Sequence, residues 1–220
     1  MSASRVILWR HGQTDLNVQA RIQGSQDFPL NDVGRAQAAA ISKEIAAMEP
    51  VRILSSPLSR ASDTAQYVAD RVGVPIELDS RLRERDYGEW EGLDGSEIHA
   101  RNPEQHQVWR DGGHPSGLGI ERNTAVGQRV AAAVNEASEQ MEDGTLLVTA
   151  HGAAIRAGVA ALLDLSSDVW TGLRGLDNCH WALLVPQSNR NPKWCLMYYN
   201  QMIAPQNAAE LTLQVSDMFR

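Results

Sequence analysis

Cysteine is scarce in this sequence, and its scarcity bears on the redox environment. Only two of the 220 residues are cysteines, Cys179 and Cys195. If the segments around them form a hairpin that turns near Asn189, Cys179 faces position 201, about 20 Å along the strand from Cys195. A disulfide requires Cα atoms less than about 7 Å apart. We therefore expect two free thiols and a reducing, cytoplasmic environment.

The sequence also lacks a long apolar segment and an excess of basic residues. The residues before Arg5 are too few and too polar for a signal peptide. The apolar stretch Ala157–Leu163 is bracketed by Arg156 and Asp164, so no segment is expected to span a bilayer. With 20 Lys+Arg against 27 Asp+Glu, the formal net charge is −7, which argues against a general nucleic-acid or membrane surface. A small anionic partner would need a local basic pocket.

Motifs of several hydrolase and phosphate-transfer chemistries are missing. A cysteine phosphatase needs an arginine six positions after its cysteine, but Val185 and Gln201 occupy those positions. There is no Asp-x-Asp, no Walker-type Gly-x4-Gly-Lys, no Gly-x-Ser-x-Gly, no His-x-His and no His-Glu-x2-His. A metal beside the arginines described below would need several carboxylates. We therefore expect neither a metal nor an organic cofactor.

Apolar residues alternate along the chain between strand-like runs and helix-like spacing. Strands are predicted at 5–9, 52–55, 74–78, 145–149, 181–185 and 193–198, and helices at 33–48, 57–72, 126–141 and 153–163. Ser56 is the expected N-cap of the second helix, Pro57 its first residue and Gly73 its end. The alternation predicts one α/β domain over residues 1–220 with a mostly parallel sheet. Residues 85–122 lack a long period and are predicted to be an insertion over the sheet edge and the active site.

A chemically apt residue follows each of four predicted strands: His11, Arg60, Glu84 and His151. Ligand sites gather at the carboxyl ends of parallel strands, so we expect these side chains to share one site. Neutral imidazole is nucleophilic at cellular pH. Arg10 and Arg60 offer planar sets of donors for phosphate oxygens, and Arg60 lies in the first turn of a helix, where anions are favoured.

Some of these residues have alternative interpretations. Glu84 stands among three arginines at 81, 83 and 85, so it is either functional or part of a surface charge cluster. Arg21 either binds an anion or lies on the surface. The other four histidines are expected to be structural or solvated: His99 and His106 in a polar, solvated segment, His114 in a loop and His180 at the start of a strand.

Taken in order, the motifs closely resemble those of the histidine phosphatase superfamily, which includes the cofactor-dependent phosphoglycerate mutases. The matching segments are 10–17 (RHGQTDLN), 21–24 (RIQG), 27–30 (DFPL), 55–65 (SSPLSRASDTA), 82–92 (LRERDYGEWEG) and 150–152 (AHG). The resemblance covers residues 5–165. It implies a three-layer α/β/α sandwich whose sheet is mostly parallel with one antiparallel strand.

The resemblance also implies roles for individual residues. His11 becomes phosphorylated, Glu84 donates a proton, and three side chains bind phosphoryl oxygens, namely Arg10, Arg60 and a protonatable His151. The residues expected to contact the substrate or flank the phosphate pocket are Asn17, Arg21, Gln23, Gly24, Glu121 and Gly152. No metal ligand is expected. Family members often have Gly-Glu-Ser where this chain has Gly119-Ile120-Glu121-Arg122, so the register of Glu121 is open and Arg122 is free to extend the substrate contacts.

Two segments resemble the phosphatase branch of the family, 21–24 (RIQG) and 88–92 (GEWEG). The resulting hypothesis is a metal-independent phosphomonoester hydrolase that forms a phosphohistidine on a small phosphorylated metabolite, a sugar phosphate or a phosphoglycerate derivative. The alternatives are a phosphoglycerate mutase and a catalytically silent scaffold that binds phosphorylated ligands. Specificity is expected to come from residues 85–122 and from the tail after Gln201. The sequence leaves the oligomeric state open and is compatible with a homodimer.

Overall fold

Six strands form one sheet in the part of the chain that the computed structural model describes, residues 2–202. The strands are β1 (Arg5–Arg10), β2 (Pro50–Ser55), β3 (Ile76–Leu78), β4 (Thr145–Ala150), β5 (Trp181–Pro186) and β6 (Trp194–Gln201). Their order across the sheet is β3-β2-β4-β1-β5-β6. Strand β5 is antiparallel to both of its neighbours, and every other neighbouring pair is parallel. The predicted sheet, mostly parallel with one antiparallel strand, is therefore confirmed.

Helices cover both faces of this sheet. They are α1 (Asp15–Val18), α2 (Asp32–Ala46), α3 (Ser59–Val72), α4 (Gly95–Arg101), α5 (Pro103–Arg110), α6 (Asn123–Glu139) and α7 (Gly152–Leu162). In β1, Val6 and Leu8 pack in a core with residues of α6 and α7, whereas Ile7 and Trp9 pack in a second core with residues of α2 and α3. Successive residues of a strand face opposite sides. A central strand between two helical layers must therefore be apolar throughout, which explains the run at 6–9 and confirms the three-layer sandwich.

Helix α3 begins later than the sequence predicted. Its N-cap is Leu58, and the expectation that Ser56 caps it was wrong. The Ser56 hydroxyl accepts a hydrogen bond from the backbone N–H of Leu58 at 3.3 Å and lies 2.8 Å from Nε2 of His151. A tertiary contact thus takes the place of the local cap. Gly73 ends the helix with a φ of 72°, as predicted, and β3 starts at Ile76 rather than at 74.

The predicted insertion, residues 85–122, contains α4 and α5 around a small core of its own. That core consists of Trp90, Leu93, Ile98, Leu118 and Ile120. Helix α4 buries only Ile98, and helix α5 buries only His106. Because each helix buries a single residue, the sequence shows no long apolar periodicity here. His106 was expected to be solvated, but it is only 8% exposed. The rings of Trp90 and Trp109 pack against it, and this contact is not visible in the polar local sequence.

The hairpin and the two free thiols are confirmed, but the register differs from the expected one, because Cys179 precedes β5 and does not face position 201. Strands β5 and β6 form the predicted hairpin, which pairs Trp181 with Gln201 and Val185 with Cys195. Cys179 and Cys195 are both free thiols. Within residues 2–202, none of the helices combines the length and the apolar character that crossing a membrane requires. The tail expected to influence specificity lies almost wholly beyond residue 202, outside the described residues.

Candidate active site

The four strand-end residues meet at one edge of the sheet. Arg10 is the last residue of β1 and His11 follows it, while Arg60 stands in the first turn of α3 after β2. His151 lies between β4 and α7, with its ring centroid 5.1 Å from that of His11. Glu84 follows β3 after a short 3-10 turn. A cavity of about 140 Å³ at this edge is lined by Arg10, His11, Asn17, Arg21, Ile22, Gln23, Gly24, Arg60, Glu84 and Tyr87.

His11 is held in a defined ring tautomer. Its Nδ1 lies 2.7 Å from the carbonyl oxygen of Gly12. Since a carbonyl only accepts, Nδ1 carries the proton and Nε2 of the neutral ring keeps its lone pair. Burial, together with the positive charges of Arg10 and Arg60, holds the pKa of His11 well below its usual range. The arrangement therefore preserves a neutral imidazole with a free Nε2.

His151 has the opposite tautomer. Nε of Arg60 donates to its Nδ1 at 3.2 Å, so Nδ1 must be unprotonated, and Nε2 donates to the hydroxyl of Ser56 at 2.8 Å. Burial and the charge of Arg60 hold the pKa of His151 well below its usual range. This differs from the sequence expectation of a protonatable imidazole. Protonation of His151 would break the hydrogen bond from Arg60 and place two cations side by side.

The fixed positive charge of the cavity comes from Arg60, which is buried, and from Arg10, which is partly buried. Nη1 and Nη2 of Arg60 donate to the carbonyl oxygens of Gln26 and Gly24 at 2.7 and 2.9 Å. Nη1 of Arg10 donates to the carbonyl of Leu176, whereas Nε of Arg10 is buried without a hydrogen-bond partner. Burial lowers the pKa of both guanidinium groups and the charge of Glu84 opposes that shift. Both remain cationic, because arginine is not deprotonated in proteins.

Glu84 is directed at the start of α7. Its Oε1 accepts from the backbone N–H groups of Arg85 and Ala154 at 2.8 and 2.9 Å, and its Oε2 accepts from that of Ala153 at 3.1 Å. The dipole of a helix favours negative charge at this end. The alternative of a surface charge cluster does not describe this side chain, since Arg81 pairs with Asp79 and Glu136 instead. Among the described residues, no group of three or more His, Cys, Asp or Glu side chains is arranged to hold a metal ion.

Three of the other predicted side chains line the same cavity, and each is held by its own partner. Asn17 forms the capping box of α1 with Thr14, and Gln23 accepts a hydrogen bond from the Thr14 hydroxyl at 2.9 Å. Arg21 pairs with Glu97 at 2.5 Å, so a carboxylate already balances its charge. Arg21 was expected either to bind an anion or to lie on the surface. In the structure it forms a partly buried ion pair at the cavity wall.

The two predicted glycines act through their backbones. Gly24 has a φ of 56° and presents its carbonyl oxygen to Arg60. Gly152 is the first residue of α7, and a Cβ added there would lie 3.4 Å from the guanidinium group of Arg10. A side chain at 152 would therefore crowd the arginine that the site depends on.

Glu121 and Arg122 lie apart from this cluster. Both oxygens of Glu121 bind Arg129, at 2.9 and 3.0 Å, and Glu121 does not line the cavity. The Arg122 side chain is 64% exposed and lies 4.0 Å from Asp168. The structure thus does not bring the predicted substrate contact of Glu121 into the phosphate pocket.

A second, larger cavity of about 430 Å³ adjoins the first and shares Arg10, Glu84 and Tyr87 with it. Sequence reasoning named Arg10, Glu84 and Gly152 and expected the segment 85–122 to contribute here, but it did not single out Arg85 or Arg156, and it did not place Ser56 in the site. A usable signal existed for Ser56, which directly follows a predicted strand. For Arg85 and Arg156 the local sequence offered none, because an arginine on a turn or helix is usually a surface residue.

Comparison with known proteins identifies the family of this chain. A sequence model of the histidine phosphatase superfamily (branch 1) matches residues 6–198. The chain is 38% identical over 191 residues to glucosyl-3-phosphoglycerate phosphatase of Mycolicibacterium vanbaalenii, covering 84% of this chain and 85% of the relative. It is 33% identical over 183 residues to probable phosphoglycerate mutase GpmB of Yersinia enterocolitica, covering 80% and 81%.

A solved structure gives the same result for the fold. Mycobacterial glucosyl-3-phosphoglycerate phosphatase in complex with VO3 superposes with a TM-score of 0.80 at 34% identity, covering 90% of this chain and 99% of that one. The resemblance seen in the motifs is confirmed: this chain belongs to the histidine phosphatase superfamily and is a phosphatase.

Proposed function

We propose that this phosphatase hydrolyses a small phosphomonoester in two steps through a phosphohistidine on His11, without a metal. The observation that carries the proposal is the neutral, buried His11, whose unprotonated Nε2 shares a small cavity with Arg10 and Arg60. A lone pair and two fixed positive charges around one small cavity suit attack on a phosphoryl group.

In the first step, Nε2 of His11 attacks phosphorus in line with the ester oxygen. The N–P bond forms as the P–O bond to the alcohol breaks, and Glu84 delivers a proton to the departing alkoxide. Arg10 and Arg60 stabilise the charge on the equatorial oxygens, and the unpartnered Nε of Arg10 is available for one of them. His151 acts in its neutral form by accepting from Arg60 and fixing the position of that guanidinium group.

In the second step, the Glu84 carboxylate takes a proton from water as the water oxygen attacks phosphorus. The P–N bond breaks, and its electron pair returns to Nε2 of His11 while inorganic phosphate is released. Glu84 recovers the proton that the next turnover requires. Its position in both cavities supports this double role, because it lies at the boundary between the phosphate pocket and the space for a leaving group.

We propose a phosphorylated sugar or glycerate derivative as the substrate. The names of the relatives point to glucosyl-3-phosphoglycerate as the first compound to test. Residues 85–122 would contribute to selection, since Arg85, Tyr87, Trp109, Gly112 and Gly113 line the larger cavity.

A mutase is the second candidate, favoured by the likeness to GpmB. A mutase returns the phosphoryl group to a substrate oxygen, whereas the hydrolase releases it to water. A silent scaffold is less well supported, because the nucleophile, the acid and both arginines are present in one cavity. Release of phosphate from p-nitrophenyl phosphate distinguishes the three candidate functions. The hydrolase releases phosphate, a dedicated mutase releases little and a scaffold releases none.

The decisive experiment is His11→Ala with trapping of the phosphoenzyme. We expect turnover to be lost in this variant, and rapid quenching of the wild type with labelled substrate to yield an acid-labile, N-linked phosphate. His99→Ala is the matched control, because His99 is exposed on α4 and should behave as wild type. Label trapped on a serine, or substantial activity in His11→Ala, would refute the assignment.

A further inference from the structure

Arg129, which lines neither cavity, binds the backbone of the segment that carries the proposed acid. It stands on α6, and its Nη1 donates to the carbonyl oxygens of Arg81 and Arg83, both at 2.6 Å. Its Nη2 donates to the carbonyl oxygen of Glu84 at 3.0 Å. Nε and Nη2 also donate to the two carboxylate oxygens of Glu121, at 2.9 and 3.0 Å. A guanidinium group has five N–H donors, so every donor of this one has an acceptor.

Glu121 holds the same segment on the other side of Glu84. Its Oε2 accepts from the backbone N–H of Asp86 at 3.3 Å, and its own N–H donates to the carbonyl oxygen of Asp86 at 2.9 Å. Its carbonyl oxygen accepts from Nε of Arg85 at 2.7 Å. The Arg129–Glu121 pair therefore binds the chain immediately before and immediately after the acid.

Residues 83–87 depend on such contacts because they belong to no helix or strand. They lie between two short 3-10 turns, so no regular pattern of backbone hydrogen bonds fixes them. Arg129 anchors the backbone of Glu84 from α6, whereas the N–H groups at the start of α7 hold its carboxylate. Two neighbouring helices thus fix the backbone and the reactive group of one residue separately.

We propose that Arg129, paired with Glu121, is a positioning residue for the proton transfers made by Glu84. This rests on the proposed function, in which Glu84 is the acid of the first step and the base of the second. Catalysis by an oriented group is sensitive to its placement, and a displacement of about 1 Å can cost about 10²-fold in rate. Hydrogen bonds from a charged donor are stronger than those from a neutral one, so a guanidinium group suits this anchor. Glu121, predicted from the sequence to contact the substrate, acts instead through Arg129.

Arg129→Lys tests this role without a change in net charge. One ammonium group cannot reproduce the planar set of five donors, so the segment loses part of its anchor. Arg52→Lys is the matched control. Arg52 also binds a glutamate through two N–H groups, Glu77 at 2.9 and 2.7 Å, and donates to a backbone carbonyl of α6, that of Ala137, at 2.9 Å. The side chains of Arg52 and Arg129 are equally exposed, at 21%, but Arg52 lines neither cavity.

The phosphorylation step is measured by rapid quench with p-nitrophenyl phosphate, phenyl phosphate and glycerol 3-phosphate, whose leaving groups increasingly require a proton. We expect Arg129→Lys to slow this step about 10- to 100-fold for the phenyl and glycerol esters, a part of what a general acid contributes. The p-nitrophenyl ester should react almost as in the wild type. Inhibition by inorganic phosphate should not change, because Arg10, His11 and Arg60 are untouched. A purely structural role would slow all three esters alike, and Arg52→Lys should slow none of them.

Two further variants separate positioning from other effects. In the Glu84→Gln protein the acid is already absent, so adding Arg129→Lys should cause no further loss with the esters that need a proton. Glu121→Gln leaves Arg129 in place but removes the carboxylate that pairs with it. We expect a smaller loss in the same direction as in Arg129→Lys. This variant also serves as the test if Arg129→Lys does not fold.

Several outcomes overturn the positioning role. It is refuted if the folded Arg129→Lys and Glu121→Gln proteins slow the three esters alike or not at all, if Arg52→Lys shows the same selectivity, or if the losses in Arg129→Lys and Glu84→Gln multiply. Loss of the fold in both variants of the pair would also refute it, because the pair would then be a requirement of the fold.

The Glu84→Gln protein distinguishes failure of this inference from failure of the proposed function. If Glu84→Gln shows no dependence on the leaving group, Glu84 is not the acid, and the role of Arg129 falls with it. If Glu84→Gln shows that dependence and the variants of the pair do not, only the role of Arg129 is removed and the proposed hydrolase stands.

Discussion

Replacing Glu84 by glutamine tests the proposed acid with little disturbance of its surroundings. The carbonyl oxygen of glutamine can keep the two contacts that Oε1 makes with Arg85 and Ala154, whereas its NH₂ group meets the N–H of Ala153 as donor against donor. One backbone hydrogen bond is lost, so we expect unfolding to become easier by about 1–3 kcal/mol. The fold should persist, because α7 keeps its buried face on the sheet.

The kinetic consequence should depend on the leaving group. A sugar or glycerate alkoxide needs a proton as it departs, so the phosphorylation step with such esters should slow by about 10²–10⁴-fold in Glu84→Gln. A nitrophenolate leaves without protonation, so its phosphorylation step should slow far less. Dephosphorylation also lacks its base in this variant. With p-nitrophenyl phosphate, a burst of nitrophenol followed by accumulation of phosphohistidine is therefore expected.

Rapid-quench and stopped-flow measurements on both ester types decide the matter. Glu89→Gln is the matched control, because Glu89 is exposed and its loss removes the same charge. Equal slowing of the two ester types in Glu84→Gln, with no burst and no phosphoenzyme, would mean that Glu84 only supports the start of α7. The proton donor would then have to be another group.

Three further outcomes are expected. Activity should survive EDTA and be inhibited by orthovanadate, since guanidinium groups neutralise the phosphoryl charge; loss on chelation that Mg²⁺ or Zn²⁺ restores would contradict this. His11 and His151 are neutral in the folded protein and bind protons in the unfolded chain below pH 6.5. Urea titrations should therefore show that the free energy of unfolding falls below pH 6.5 by up to about 2.7 kcal/mol per pH unit, since two groups contribute. A free energy of unfolding that does not change with pH would refute the assignment of two neutral histidines. Gly12→Ala would overlap the carbonyl oxygen of Gly34, so thermal denaturation should show a loss of about 1–3 kcal/mol, and phosphatase assays should show reduced activity; a variant as stable and active as wild type would contradict the close packing.

Much of the fold followed from local pattern. The apolar run at 6–9 predicted a strand covered on both faces, and the structure places helices on both. The convergence of His11, Arg60, Glu84 and His151 was predictable because the carboxyl ends of parallel strands share one edge of the sheet. The start of α3 was not, since the hydroxyl of Ser56 contacts His151, 95 residues away, rather than capping the helix.

The sequence by itself determined the α/β architecture, the family and the set of reactive groups, because strand and helix periods and contiguous motifs are local properties. Only the tertiary structure decided how those groups are protonated and paired. The neutral form of His151 depends on burial and on the charge of Arg60, 91 residues away in sequence, and the alignment of Glu84 depends on backbone N–H groups 69 and 70 residues away. Burial and pairing are sums over neighbours that the chain brings together only when it folds, so no local sequence pattern encodes them.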